Sequence, residues 1–192
     1  ALALSACSSG TQGSQSTDDG GEPSAPVENE TKELVFGSLS YFYNSSWDPA
    51  VRWDGWAIES IGVGETLFRL DENYQATPWL AESATQQDST TWVVTLRDDV
   101  KFHNGTDMTA EAVKKCFERT MSASERWSEV IPFASLDAEG QTLTIHLERP
   151  APNLMNDLCD PLWLVYDADG SEDYASETFY TGPYIPVSFS PN

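Results

Sequence analysis

Positive charge and sulfur are scarce in this chain of 192 residues, which holds 10 Lys and Arg, 3 Cys and 2 His. Against 31 Asp and Glu, those cations leave a formal net charge of −21 at pH 7. A surface so anionic repels phosphate backbones and anionic headgroups, so no nucleic-acid partner is expected. No run of roughly 18 apolar residues exists to span a bilayer. The two histidines, His103 in a turn and His146 on the polar face of a strand, have no second His or Cys at metal-ligand spacing. A calcium loop fails too, because Gly105 is not at the sixth position after a leading Asp and no Glu follows at the twelfth. No G-x-S-x-G, P-loop or G-x-G-x-x-G occurs. The chain is therefore read as a non-enzyme with no metal and no cofactor.

What is present begins with "ALALSAC", which reads as the tail of a signal peptide over residues 1–7. Leu4-Ser5-Ala6-Cys7 matches the bacterial lipobox, making Cys7 the lipidation site. Residues 8–33 carry almost no large apolar side chain and cannot offset the entropy of ordering, so a flexible tether is expected. A lipid anchor followed by a solvated leash places the rest just outside a cell membrane. Beyond Cys7 only Cys116 and Cys159 remain, and two alternatives stand: one disulfide, which needs Cα atoms within roughly 7 Å, or two buried thiols.

Along the chain, "ELVFGSLS" (33–40) reads as a strand, and a helix is expected from about Asp54 to Val63 after a turn at Asp48-Pro49. "TTWVVTLRDDVKF" alternates, with Trp92, Val94 and Leu96 on one face, and "QTLTIHL" puts Leu143, Ile145 and Leu147 inward. Between them Val113, Cys116, Phe117 and Thr120 recur at helical spacing, giving a helix from about Thr109 to Met121 capped by Thr109 or Asp107. The domain is mixed α/β. The charged stretch "LRDDVKFHNGTDMTAEAVKKCFER" divides accordingly. Arg97, Asp98 and Asp99 end a strand on its solvent side, His103-Asn104-Gly105 turns, and Asp107, Thr109 and Glu111 suit a helix start. Trp92 is assigned to the core, whereas Trp53, Trp56, Trp127 and Trp163 lie near turns and helix starts, where an aromatic can line a groove.

"GETLFRLDENYQATPWLAES" followed by "TWVVTLRDDVKFHNGTDMTAEAVKKCFER" resembles the peptide/nickel substrate-binding proteins (family 5) of bacterial ABC importers. The shared pattern is E-x-L-x-x-x-D, P-x-L-A-x-S, a strand ending L-R-x-x-V-K-F-x-x-G, and T-A-E-x-V at a helix start. Thr181-Gly182-Pro183-Tyr184 resembles the family's Gly-Thr-Gly-Pro-aromatic return segment, with Tyr180 standing where its first glycine usually is. The nearest likeness is to the nickel-binding branch.

The resemblance implies the N-terminal part of a two-lobed periplasmic-binding-protein-like (class II) fold, a mixed sheet with flanking helices, whose second lobe is missing here. It places the first strand of the large lobe at 34–46, a small α/β subdomain at 47–169 and the return to the large lobe at 170–192, where the chain breaks off. Carried over position by position, the pocket falls at Arg52, Trp53, Ala57, Arg126, Trp127 and, in "LCDPLW", Asp160. There the nickel branch is expected to carry an arginine that holds a chelate's carboxylates. An aspartate would repel the same ligand, which turns the expectation toward a cationic ligand or a peptide amine.

The expected function is capture of a peptide or related small ligand, or a metal chelate, outside the cytoplasm and its delivery to ABC permease subunits. The protein is expected to be monomeric. Rival readings are a chemosensory or pheromone peptide receptor on the same fold, a secreted metal-dependent hydrolase using His103 or His146, and a surface adhesin.

Overall fold

The computed structural model describes residues 46–187, all within one unit, Gly37–Asn192. The lipobox with Cys7, the tether and the strand expected at 33–40 lie outside the described residues.

Its framework is a four-stranded antiparallel sheet formed by β3 (Ala81–Gln86), β4 (Thr91–Leu96), β5 (Phe133–Glu139) and β6 (Thr142–Leu147) in the order β3-β4-β6-β5. A short ribbon of β1 (Phe68–Leu70) and β2 (Ala76–Pro78) precedes it. The alternation read from the sequence is met in β4 and β6: Trp92, Val94, Leu96, Leu143, Ile145 and Leu147 are all buried. Strand β4 stops at Leu96, just before the Arg97-Asp98-Asp99 stretch expected to end it. Arg97 there turns back to clasp Asp99 with two hydrogen bonds of 2.9 and 2.8 Å.

Helix α1 (Asp54–Ser60) is shorter than expected, and α2 (Ala110–Ala123) lies across the sheet with Val113, Cys116, Phe117 and Thr120 buried. Thr109 caps α2 by accepting from the Ala112 N–H at 3.2 Å, whereas Asp107 pairs with Lys101 instead. Two one-turn helices follow, α3 (Trp127–Val130) and α4 (Leu154–Asp157), then a 3-10 turn at Pro161–Trp163. None of the helices among the described residues is long and apolar enough to cross a membrane.

Trp163 locks these layers together. It is wholly buried, with its ring centroid 5.2 Å from that of Phe117 on α2 and 5.0 Å from that of Phe133 on β5. The groove-lining role considered for Trp163 is therefore replaced by a core role: edge-to-face aromatic packing outweighs exposure at a turn. Cys116 and Cys159 are both free and buried, which decides between their two alternatives and removes the disulfide. Each thiol donates to a different carbonyl, Cys116 to Leu164 at 3.4 Å and Cys159 to Met155 at 3.3 Å. Burial, the larger cause in each case, pushes the two thiols up to about 12 and about 11.

Residues 170–187 run back along the same unit. Gly182 donates to the Val63 carbonyl at 3.0 Å, and the Tyr180 hydroxyl donates to the Trp47 carbonyl at 2.5 Å. A side chain at position 182 would place its Cβ 2.4 Å from the Val63 oxygen, so only glycine allows this approach.

Candidate functional site

Three chain turns converge at one end of α2. The first carries Arg52 and Trp53 into α1, the second carries Arg126 and Trp127 into α3, and the third carries Asp160 into the 3-10 turn. What brings the first and third together is Gly55. A Cβ there would sit 2.4 Å from the Pro161 carbonyl oxygen, so glycine lets α1 lie directly on the 3-10 turn. The second is placed by the end of α2, where the Ser124 hydroxyl accepts from the Arg126 N–H at 3.3 Å.

Between the first two turns opens a cleft of about 590 Å³, walled by Ala50–Trp53 on one side and by Ala123–Arg126 with Glu129 on the other. Trp53 is 54% exposed. The Arg126 guanidinium carbon lies 4.2 Å from the Trp53 ring centroid, a cation–π stack. Arg126 also donates through Nη2 to Asp160 Oδ2 at 3.0 Å, while Asp160 Oδ1 accepts from the Leu162 N–H at 2.8 Å. Arg52 has φ of 55°, in the left-handed region that costs a bulky residue of order 1–3 kcal/mol, and such residues gather at ligand sites.

Of the six positions carried over from the resemblance, four are thus joined: Arg52 and Trp53 on one wall, Arg126 on the other, and Asp160 behind Arg126. Ala57 is buried at 3% exposure within α1, where its carbonyl accepts from Ser60 Oγ at 2.8 Å, and it takes no part in the wall. Trp127 is half-buried and packs against the core beside the cleft, not within its lining. Trp56 is 52% exposed on α1 and also stands outside the lining.

Sequence reasoning passed over Glu59. Burial first, and the Asp160 charge second, push its carboxyl up to about 7. The same two causes, in the same order, raise Asp157. The spacing Trp53–Trp56–Glu59, every third residue from the N-cap of α1 onward, was the available signal for a shared face.

The contacts at the cleft are a cation–π stack, an ion pair and backbone hydrogen bonds. His103 Nε2 bonds the Gly182 carbonyl at 2.8 Å, and the His103 backbone N–H donates to Tyr180 O at 2.8 Å. His146 pairs with Asp137 at 3.1 Å across two strands. Among the described residues no three His, Cys, Asp or Glu groups are placed to hold a metal ion. Two shallower depressions, of about 400 and 260 Å³, flank Trp79, whose ring faces Arg69 at 3.8 Å and whose Nε1 donates to Glu65 at 3.0 Å. Their polar groups are largely spent on one another.

Comparison with known proteins follows the same lines. The model of the bacterial extracellular solute-binding proteins, family 5, middle part, matches residues 75–192. The chain is 36% identical over 124 residues, 65% of its length, to the nickel-binding protein NikA of Staphylococcus aureus, of which it covers 25%. It is 34% identical over 127 residues, 62% of its length, to the glutathione-binding protein GsiB of Escherichia coli K12, again covering 25%. Among solved structures, a nickel ABC transporter protein from Bacillus halodurans superposes with a TM-score of 0.71 at 36% identity, over 77% of this chain and 31% of that one. Staphylococcus aureus NikA in complex with Ni(L-His)2 superposes with a TM-score of 0.68 at 33% identity, over 72% and 29%. The chain thus spans about a quarter of the length of the curated relatives it matches. With the family model covering more than half of its residues and its mixed α/β fold superposing on those structures, the chain belongs to the bacterial extracellular solute-binding proteins, family 5.

Proposed function

We propose that this chain contributes one wall of a ligand-capture site in an extracytoplasmic binding protein of an ABC importer, anchored by a lipid on Cys7. The observation that carries the reading is the cleft in which Trp53, Arg126 and the left-handed Arg52 meet, an apolar face beside fixed charges as small-ligand sites require. Its mechanism is non-covalent. A ligand that contacts both this wall and a second one binds a closed form better than an open one, and shifts the balance by that difference alone. The closed complex then presents the ligand to permease subunits. No bond is made or broken, so the protein acts as a carrier and not as an enzyme.

A short peptide or another small molecule bearing an amine is the favoured cargo. The cleft walls carry Glu125 and Glu129 beside Arg52 and Arg126, and Asp160 already engages Arg126, so cationic groups meet a net acidic environment. The nickel-binding relatives make a metal chelate the second candidate. The test is a thermal-shift screen of dipeptides, tripeptides, glutathione and nickel–histidine. It is run against this chain and against one extended to the relatives' full length. Stabilisation of the longer chain that is lost in Arg126→Ala supports capture here, with weak or no stabilisation of the shorter one. A folded longer chain stabilised by none of these compounds refutes the reading.

A further inference from the structure

We propose that Asp160 sets the charge that the cleft accepts. By holding Arg126 in an internal ion pair it withdraws the guanidinium from service as a carboxylate receptor, and the cleft then selects amines and neutral amides over polyanions. This deepens the function proposed above and rests on the cleft being the ligand site.

Three observations support it. First, Arg126 is constrained on two sides, by the Trp53 ring 4.2 Å from its guanidinium carbon and by Asp160 Oδ2 3.0 Å from Nη2, with only 22% and 21% of the two charged side chains exposed. Second, Asp160 cannot follow a ligand outward. Its other oxygen takes the Leu162 N–H at 2.8 Å, and Trp163, one residue further, is wholly buried between Phe117 and Phe133. An incoming carboxylate that drew Arg126 away would leave Asp160 part-buried without its cation, a cost that an amine does not meet. Third, the surroundings add negative charge. Glu125 and Glu129 stand exposed on the cleft wall, and Asp157 on α4 feels the Asp160 carboxylate.

The experiment is chemical modification of arginines by phenylglyoxal, with adducts mapped by mass, in the wild-type chain and in Asp160→Asn. Asparagine keeps an oxygen to accept from the Leu162 N–H, so the start of the 3-10 turn is retained. Release from the carboxylate is expected to speed modification of Arg126 about fivefold, with Arg52 changing little as the internal reference. Millimolar succinate is expected to protect Arg126 in Asp160→Asn and not in the wild type. Equal Arg126 rates in the two folded proteins overturn the proposal. So does protection of wild-type Arg126 by succinate, which requires no variant and holds even if Asp160→Asn does not fold. These rates are independent of the natural ligand. A failed ligand screen with the expected modification pattern would remove the capture function and leave the charge-setting pair standing.

Discussion

Two charged regions of this molecule put similar side chains to different ends. In the turn between β4 and α2, Arg97 binds Asp99 in bidentate fashion, Lys101 pairs with Asp107, and Asp167 receives Asn104 Nδ2 at 2.8 Å and Thr106 Oγ1 at 2.9 Å. His103 completes the knot by holding the Gly182 carbonyl. These charged groups are paired with one another or tied to Asp167 and Gly182 of the same chain. At the cleft, Trp53 stays half in solvent, Arg52 is held in a costly backbone conformation, and Glu125 and Glu129 stand exposed on the wall. A scaffold spends its charges internally, whereas a site keeps some of them available. The acidic density of residues 97–111 is thus structural even though it is the more conspicuous of the two in the sequence.

If that contrast is correct, substitutions in the knot act on stability and substitutions at the cleft act on binding. Gly182→Ala should have the largest effect, a loss of about 3 kcal/mol by thermal unfolding, because its new Cβ meets two backbone carbonyls. Asp167→Ala should cost about 2 kcal/mol through its hydrogen bonds to Asn104 and Thr106. Burial would raise the Asp167 carboxyl, but those two donors and the N–H groups of Asp169 and Gly170 outweigh it and hold it below the ordinary carboxylate value. Its stabilisation is therefore complete above about pH 5 and fades as the pH falls below the usual carboxylate range, about 4, so variant and parent should converge in acid.

Behind the cleft wall, Glu59 beside Asp160 should answer with the opposite sign. Glu59 is pushed up to about 7, so its ionised form weakens the fold, and that penalty appears as the pH rises from its ordinary value toward and past 7. Glu59→Gln should gain about 1 kcal/mol in urea unfolding near pH 8 and nothing near pH 4, the gain being limited by the solvent that reaches the side chain. A loss of stability near pH 8 would instead assign Glu59 to the scaffold. The smallest effect on folding is expected for Trp53→Ala, within about 0.5 kcal/mol, since half of the ring is already solvated. Its consequence should appear in the ligand screen, as reduced stabilisation by any compound that binds the cleft.

Legibility in the sequence followed burial geometry. Strands β4 and β6 are interior to the sheet with one face buried, so strict alternation betrays them. Strand β3 offers little to read. It is an edge strand with only Ala81 buried, and a bulge lies between Ala81 and Ser83. Strand β5 is disguised by another bulge, between Phe133 and Ser135, which puts Phe133 and Leu136 on the same side at a spacing of three. The Gly182 motif was recognisable as a pattern, but its cause, a backbone-to-backbone approach to Gly62 and Val63, is a property of the folded chain.

The same division separates what the linear chain encodes from what folding adds. Alternation in β4 and β6, the apolar stripe of α2 and its Thr109 cap depend on neighbours a few residues apart, and the chain specifies them locally. The fate of Asp160 does not. Read in line, it is an acid facing a ligand. In the fold it is the partner of Arg126, 34 residues away, because Gly55 lets α1 settle on the 3-10 turn and Trp163 pins that turn to the core. Charge type is written in the sequence, but the partner of a charge is set by which turns the core brings together.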